Sequence, residues 1–319
     1  MRTKMGDKTV DIIIPVYKPD EKFDILIQRL LRQTYPIGKI IVINTKAGAF
    51  PWNTAGLDNK ILVKEIKPEE FDHGATRNMA VAMSDADIAV CMTQDAVPYD
   101  DRLIEKLTAP FADEKTACVY ARQLPDERCD TIERYTRQFN YPSSDCVKTK
   151  ESISTMGIKA FFCSNVCAAY RRTFYEKAGG FIKNAIFNED MIMAGHLLKL
   201  GYQSVYAAEA KVIHSHNYTC MQQFRRNFDV AVSQVDNPDV FAGVKSESEG
   251  IQLVMKTAAY LIKKGKPWLI IKLIVKSGFK YTGFLLGKNY KRLPQKVVLK
   301  CSSNPRYWIN MYKKSQSSD

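Results

Sequence analysis

The sequence predicts an α/β protein with a mainly parallel sheet, on three observations. Short β-branched runs alternate with amphipathic helical segments through roughly the first third of the chain, the pattern of strands joined by helical crossovers. The runs are almost wholly apolar, as strands covered on both faces are. One of them, at Ala89–Met92, stops abruptly at Thr93, Gln94 and Asp95. A parallel strand ending in a carboxylate puts that group in the crevice at the sheet's carboxyl edge, where open α/β sheets bind ligands. Asp95 is therefore the first site candidate, its plainer reading being a turn cap before Pro98.

The elements follow in order. Val10–Val16 (VDIIIPV) reads as the first strand, breaking into the loop PVYKPD. From Asp20, a helix cap, Phe23, Leu26, Ile27, Leu30 and Leu31 share a face until Pro36. Lys39–Ile43 is a second strand, Asn44–Asn59 a loop, and Ile61–Ile66 a third strand. Asp72 caps a helix over His73–Met83, and Ala86–Met92 delivers Asp95. Arg102–Leu107 reads as helix, Ala117–Arg122 as strand, Cys129–Tyr141 as helix and Pro142–Thr155 as a loop without period. Asn165–Tyr170 resumes as strand, and Gly179 and Gly180 turn the chain. Asn188 then caps a helix with Glu189 and Asp190 in its first turn and Gly201 as its stop. Ser204–Tyr206 and Lys211–Ile213 are short strands leading to His214 and His216. The expected division is an α/β domain over 1–234 and a basic, mainly helical region over 235–319.

Composition narrows the class. A 45% hydrophobic content over 319 residues supports a folded core. No secretory signal opens the chain and no apolar run is long enough to span a bilayer, and eight dispersed cysteines without a C-x-x-C pair read as reduced cytosolic thiols. The formal charge of +13 is concentrated: residues 251–319 hold fifteen Lys and Arg against the single acid Asp319, leaving residues 1–250 near neutral. Such asymmetry suggests a near-neutral catalytic or binding domain with a tail that seeks anionic surfaces. There is no phosphate loop of the G-x-x-x-x-G-K-S/T kind, no G-x-G-x-x-G and no G-x-S-x-G, which argues against ATPases, ordinary dehydrogenases and α/β-hydrolases. What remains is a set of carboxylates and histidines at element ends, suited to Mg²⁺ or Mn²⁺ bound with help from substrate phosphates.

Six stretches in order, IIIPVY, FDHGATRN, TQDAVP, GGF, NED and FRRNFDV, resemble family 2 glycosyltransferases of the GT-A fold, and most of all bacterial rhamnosyltransferases of cell-surface polysaccharide synthesis. The resemblance spans roughly residues 9–232. It implies inverting transfer of a sugar from a nucleotide diphosphate donor to a hydroxyl. By position, Asp95 corresponds to the family's metal-binding acid, with Gln94 standing where an acid is usual. His216 or His214, the first favoured, would complete the ligand set. Asp190 corresponds to the catalytic base. Pro15, Val16 and Tyr17 correspond to the loop against the donor's base and ribose. Asn44 stands where an acid often reads that base. Arg77 lies near a helix start suited to phosphate, its plainer reading being a partner for Asp72 or Asp95. His73 would touch the donor sugar, and Glu189, Arg225 and Arg226 would serve diphosphate or acceptor.

The expected donor is dTDP-rhamnose, with a UDP-hexose as the alternative, and the acceptor a glycan or lipid-linked hydroxyl. The lysine- and aromatic-rich C-terminal segment suits an anionic membrane surface, which would place the enzyme on the cytoplasmic face; nucleic acid is not expected. The competing class is a silent scaffold or nucleic-acid binder, suggested by Gln94 and the tail.

Overall fold

The computed structural model describes residues 8–47, 59–244 and 247–316. In chain order its first elements are β1 (Val10–Tyr17), α1 (Glu21–Leu31), β2 (Ile40–Thr45), β3 (Ile61–Ile66), α2 (His73–Ala82), β4 (Ile88–Met92), β5 (Val97–Pro98) and α3 (Leu103–Thr108). There follow β6 (Thr116–Leu124), α4 (Thr131–Asn140), β7 (Cys146–Lys148), α5 (Ser152–Met156), β8 (Cys167–Arg171), α6 (Arg172–Lys177), α7 (Glu189–Lys199) and β9 (Gln203–Ile213). The rest is helical: α8 (Cys220–Asp236), α9 (Pro238–Phe241), α10 (Glu247–Lys263), α11 (Leu269–Lys288), α12 (Gln295–Cys301) and α13 (Pro305–Gln316). The chain forms two compact units, one of residues 1–128, 140–183 and 189–215, the other of 129–139, 184–188 and 216–319. The continuous part of the second unit begins at residue 216 and includes α8, which packs on α11.

The first unit holds a nine-stranded sheet in the order β3-β2-β1-β4-β8-β6-β9-β5, with β7 against β9. β3, β2, β1 and β4 run parallel, as the strand-helix alternation requires. Asp20 and Asp72 cap α1 and α2 by accepting from Lys22 N and Ala75 N. The alternation does not continue: β8 is antiparallel to both β4 and β6, while β6 and β9 pair in parallel. Alternate residues of the central strands feed two buried clusters, Ile12, Ile14, Val90 and Met92 on one face and Ile13, Ile41, Ala89 and Cys91 on the other.

Three expectations are corrected here. Ser204–Tyr206 and Lys211–Ile213 belong to one strand; its register against β6 shifts between Ala121 and Arg122, so the low-propensity AAEA stretch is carried as an irregularity. The supposed loop 142–155 contains β7 and α5, elements too short to show a period. Asn44 and Thr45 are not loop residues but the buried end of β2, and the part of the expected loop over 48–58 lies outside the described residues.

The second unit is built on α8 and α11. A capping box between Thr219 and Gln222 starts α8. Gly283 and Gly287, one turn apart on α11, leave no room for a Cβ against the carbonyls of Phe224 and Phe228, so the two helices touch backbone to backbone. Asp229 of α8 is fully buried and accepts from Ser303 N at 2.8 Å, which ties the segment before α13 to the α8 core. Trp308 is wholly buried beside Phe228 and Val232, so it is a core residue. Ile132 of α4 joins Leu261 and Leu273, and Tyr135 stacks on Tyr260 with centroids 4.5 Å apart.

Candidate active site

Val16, Tyr17, Asn44, Gln94 and Asp95 lie where register demands, at the carboxyl edge of the parallel strands. Val16 and Tyr17 of β1 pair with Asn44 and Thr45 of β2 at their common end. Gln94, just past β4, clasps the end of β1: its Oε1 accepts from Tyr17 N at 2.7 Å and its Nε2 donates to Tyr17 O at 3.1 Å. The glutamine in the position of an expected acid is therefore a brace for the loop of Pro15, Val16 and Tyr17. The Tyr17 ring itself is exposed, and Lys18 beyond it adopts a left-handed φ of 49°.

Asp95 follows on the same edge, one-fifth exposed, with its Oδ2 3.5 Å from His214 Nε2. His214 is buried, and its Nδ1 lies 3.0 Å from Gln123 Oε1, while Gln123 Nε2 donates to Ser164 Oγ at 3.0 Å. With Nδ1 donating to that amide oxygen, the neutral ring has Nε2 available as a metal ligand on the side of Asp95. An imidazole nitrogen and a carboxylate oxygen converging in this way form a donor set suited to a divalent cation. The buried hydroxyls of Thr45 and Thr93, also at this edge, have no protein hydrogen-bond partner among the described residues, as expected of groups that meet a ligand. His214 is thus placed against Asp95, and His216 follows it by two residues.

The acid pair sits on the same edge by a second route. Met92 pairs with Cys167 in the antiparallel β4–β8 ladder and Thr93 N donates to Val166 O, so the residues just before β8 flank Asp95's strand end. Among them, Asn165 donates its backbone N–H to Asp190 Oδ2 at 3.0 Å and its side-chain amide to Glu189 Oε1 at 3.3 Å, while its Oδ1 accepts from Tyr170 at 2.8 Å. Met191 N donates to the other Asp190 oxygen at 2.8 Å. Burial and the adjacent Glu189 carboxylate push the pKa of Asp190 up to about 7. Glu189 is shifted oppositely: burial would raise it, but Arg77 and His73 hold it low.

Arg77 is paired with Glu189 at 3.0 Å, not with Asp72 or Asp95, and both side chains are nearly fully buried. The neighbouring motif residues lock α2 to the GGF turn. Asn78 donates to Phe181 O at 2.8 Å, accepts from Phe181 N at 2.9 Å, and is bonded by the Tyr175 hydroxyl. Gly74 is forced, because a Cβ there would overlap the carbonyl of Ile182. His73 is half-buried edge-on to Phe71, with ring centroids 5.0 Å apart. In the second unit Arg225 is exposed, whereas Arg226 stacks between Phe187 and Tyr218 at 4.9 and 4.8 Å. Asn165 and Gln123 were not legible as site residues in the sequence: an isolated amide carries no motif, and only strand pairing brings them to the acids and to His214.

The family model described as Glycosyl transferase family 2 matches residues 11–179. The chain is 35% identical over 306 residues to the O-antigen chain rhamnosyltransferase RfbN of Salmonella typhimurium, covering 95% of this chain and 96% of that protein. It is likewise 35% identical to the O-antigen chain rhamnosyltransferase WbaN of Salmonella anatum, over 94% and 96% of the two chains. Among solved structures it resembles the mannosyltransferase PcManGT from Pyrobaculum calidifontis, in complex with GDP-Man and Mn²⁺, with a TM-score of 0.57 and 15% identity over 95% of this chain and 84% of that one. It also resembles S. aureus TarS 1-349 in complex with UDP-GlcNAc, with a TM-score of 0.50 and 13% identity over 89% and 91%. The structural likeness carries the fold, which is the GT-A architecture expected from the motifs. On the family match and on identity along nearly its whole length, the chain belongs to glycosyl transferase family 2 and is a glycosyltransferase.

Proposed function

We propose that this enzyme transfers rhamnose from dTDP-rhamnose, with inversion, to a hydroxyl of a glycan or lipid-linked acceptor in cell-surface polysaccharide synthesis. The observation that carries the reaction is Asp190, a half-buried carboxylate held by two backbone N–H groups on the sheet edge that also bears Asp95 and His214. The choice of rhamnose rests on the two O-antigen relatives, 35% identical along nearly the full chain.

Inversion needs the acceptor hydroxyl to attack from the face opposite the departing nucleotide. Asp190 accepts the hydroxyl proton as attack proceeds, a role typically worth about 10²–10⁴ in rate. Its pKa of about 7 sets it near the operating range of a general base. Glu189, locked to Arg77, holds a fixed negative charge beside it and does not exchange protons with substrate. Asp95 and His214, with His216 next along the chain, would hold Mg²⁺ or Mn²⁺, which when bound offsets the charge developing on the diphosphate. Tyr17, with Pro15 and Val16 behind it, packs on the donor base, which Asn44 faces from the neighbouring strand end. His73 lies toward the donor sugar. Arg225 and Arg226 serve the acceptor or diphosphate side. The enzyme works at the cytoplasmic membrane surface, drawn there by its basic C-terminal region.

The test is thermal stability of the purified protein against dTDP-rhamnose and UDP-hexoses, with Mn²⁺ and then with chelator. At 100 times its dissociation constant a true donor adds roughly 2.7 kcal/mol. A shift with dTDP-rhamnose that disappears on chelation and in Asp95→Ala supports the reading; a shift confined to a UDP-hexose overturns the donor assignment.

A further inference from the structure

Helix α11 is apolar on two sides, and only one of them is packed. Its inner side carries the buried Leu273, Gly283 and Gly287, the glycines set against α8. About 180° away, at the helical spacing i, i+3, i+4, i+7, stand Ile271, Ile274, Val275 and Gly278, continued by Tyr281 and Leu285. The apolar side chains of this stripe face solvent: Ile271 is 72% exposed, Ile274 61% and Tyr281 56%. Trp268, 65% exposed, begins the stripe, and no charged residue interrupts it before Lys288. On the adjoining helix Ile251, Met255 and Ile262 of α10 are exposed to 61% or more. A contiguous apolar face of this size on a protein surface marks an interaction site.

The lysines of α11 sit off this stripe. Lys272 and Lys276 reach Asp130 at 3.4 and 3.0 Å, and Lys280 is half-buried, with Glu133 among the charges near it. Further exposed cations stand at the stripe's two ends, Lys263, Lys264 and Lys266 at the α10–α11 turn and Lys288, Lys291 and Arg292 beyond the last apolar turn. We infer that the solvent-facing stripe of α11, from Trp268 to Leu285, lies embedded in the acyl boundary of an anionic lipid leaflet, with the terminal lysines at headgroup depth. This deepens the membrane placement proposed above by naming the surface that enters.

One observation favours a bilayer over a second copy of this chain. Residues 251–319 carry fifteen basic residues and one acid, so two such faces repel each other while an anionic leaflet attracts them. No helix among the described residues is long and apolar enough to cross a membrane, so α11 lies along the interface and does not span it.

The experiment is co-sedimentation of the full chain with vesicles of phosphatidylcholine alone and with phosphatidylglycerol added, together with Trp fluorescence and quenching by lipids brominated along the acyl chain. The expected result is binding to the anionic vesicles, a blue shift and bromine quenching that Trp268→Phe abolishes. Ile271→Glu with Ile274→Glu should cut partitioning at least about tenfold, with the circular dichroism melt and turnover on a soluble acceptor unchanged. Binding that is unquenched and abolished by salt overturns insertion in favour of a purely electrostatic contact. A dimer by analytical ultracentrifugation that dissociates in the same variant, without vesicle binding, assigns the face to a second copy; salt-sensitive RNA binding without vesicle binding assigns it to nucleic acid. Turnover on the soluble acceptor is read separately, so failure of the transferase reading is distinguishable from failure of this one.

Discussion

The guanidinium of Arg77 lies 3.0 Å from the carboxylate of Glu189, and the two side chains are only 6% and 10% exposed. The pair joins α2 to the first turn of α7 immediately beside Asp190, so a motif arginine bears on the proposed general base through its neighbour. Removing the arginine leaves Glu189 as an uncompensated buried charge. Arg77→Met is expected to cost about 3–5 kcal/mol in denaturant unfolding, and adding Glu189→Gln should recover part of that loss. Equal stability of the single and double variants would show that the pair is not coupled.

Asp190→Asn should lower kcat by about 10²–10⁴ while leaving donor-induced thermal stabilisation in place, since the side chain serves proton transfer and not donor binding. Rate measurements on saturating donor and acceptor check it.

The pH profile follows from the same acid. A base must be deprotonated to act, so with the Asp190 pKa near 7 the rate should rise about tenfold per pH unit below that value and level off above it. Glu189→Gln removes the like charge that helps raise the pKa and should move the limb downward. For stability the sign is opposite: the folded protein holds the Asp190 proton to higher pH than the unfolded chain does, so this group's contribution falls as pH rises from about 4 to 7.

Gly74 tests the seating of α2. Its missing Cβ would overlap the Ile182 carbonyl, so Gly74→Ala must push the helix off the GGF turn. A loss of about 1–3 kcal/mol is expected, with a lower kcat because Arg77 moves with the helix. Stability unchanged from the wild type would refute the contact.

His214 and His216 can be separated by metal titration. His214, turned toward Asp95 by Gln123, should be the stronger contributor, and His214→Ala should weaken Mn²⁺-dependent donor binding more than His216→Ala does. Isothermal titration of Mn²⁺ with nucleotide present decides the order.

Much of the first half was legible in the sequence because its signals are local. Apolar β-branched runs, the Asp20 and Asp72 caps and the abrupt stop at Asp95 each depend on a few adjacent residues, and β1 to β4 appear where those signals place them. β7 and α5 escaped notice because three to five residues are too few to show a period. The motifs themselves were visible, but their division of labour was not. Asn78, Gly74 and Arg77 proved to be packing and pairing residues, and Gln94 a backbone clasp, because their partners lie about 77 to 112 positions away.

The sequence by itself determined the family, the α/β pattern, the two aspartates and the concentration of charge at the C-terminus, since each is written in residue type and order. Only the tertiary structure decided that His214 lies against Asp95, that Asn165 holds both acids, and that the lysines of α11 are turned from its outer face and leave an apolar stripe. Those relations depend on register and helix rotation, which long-range packing fixes, and local sequence does not encode either.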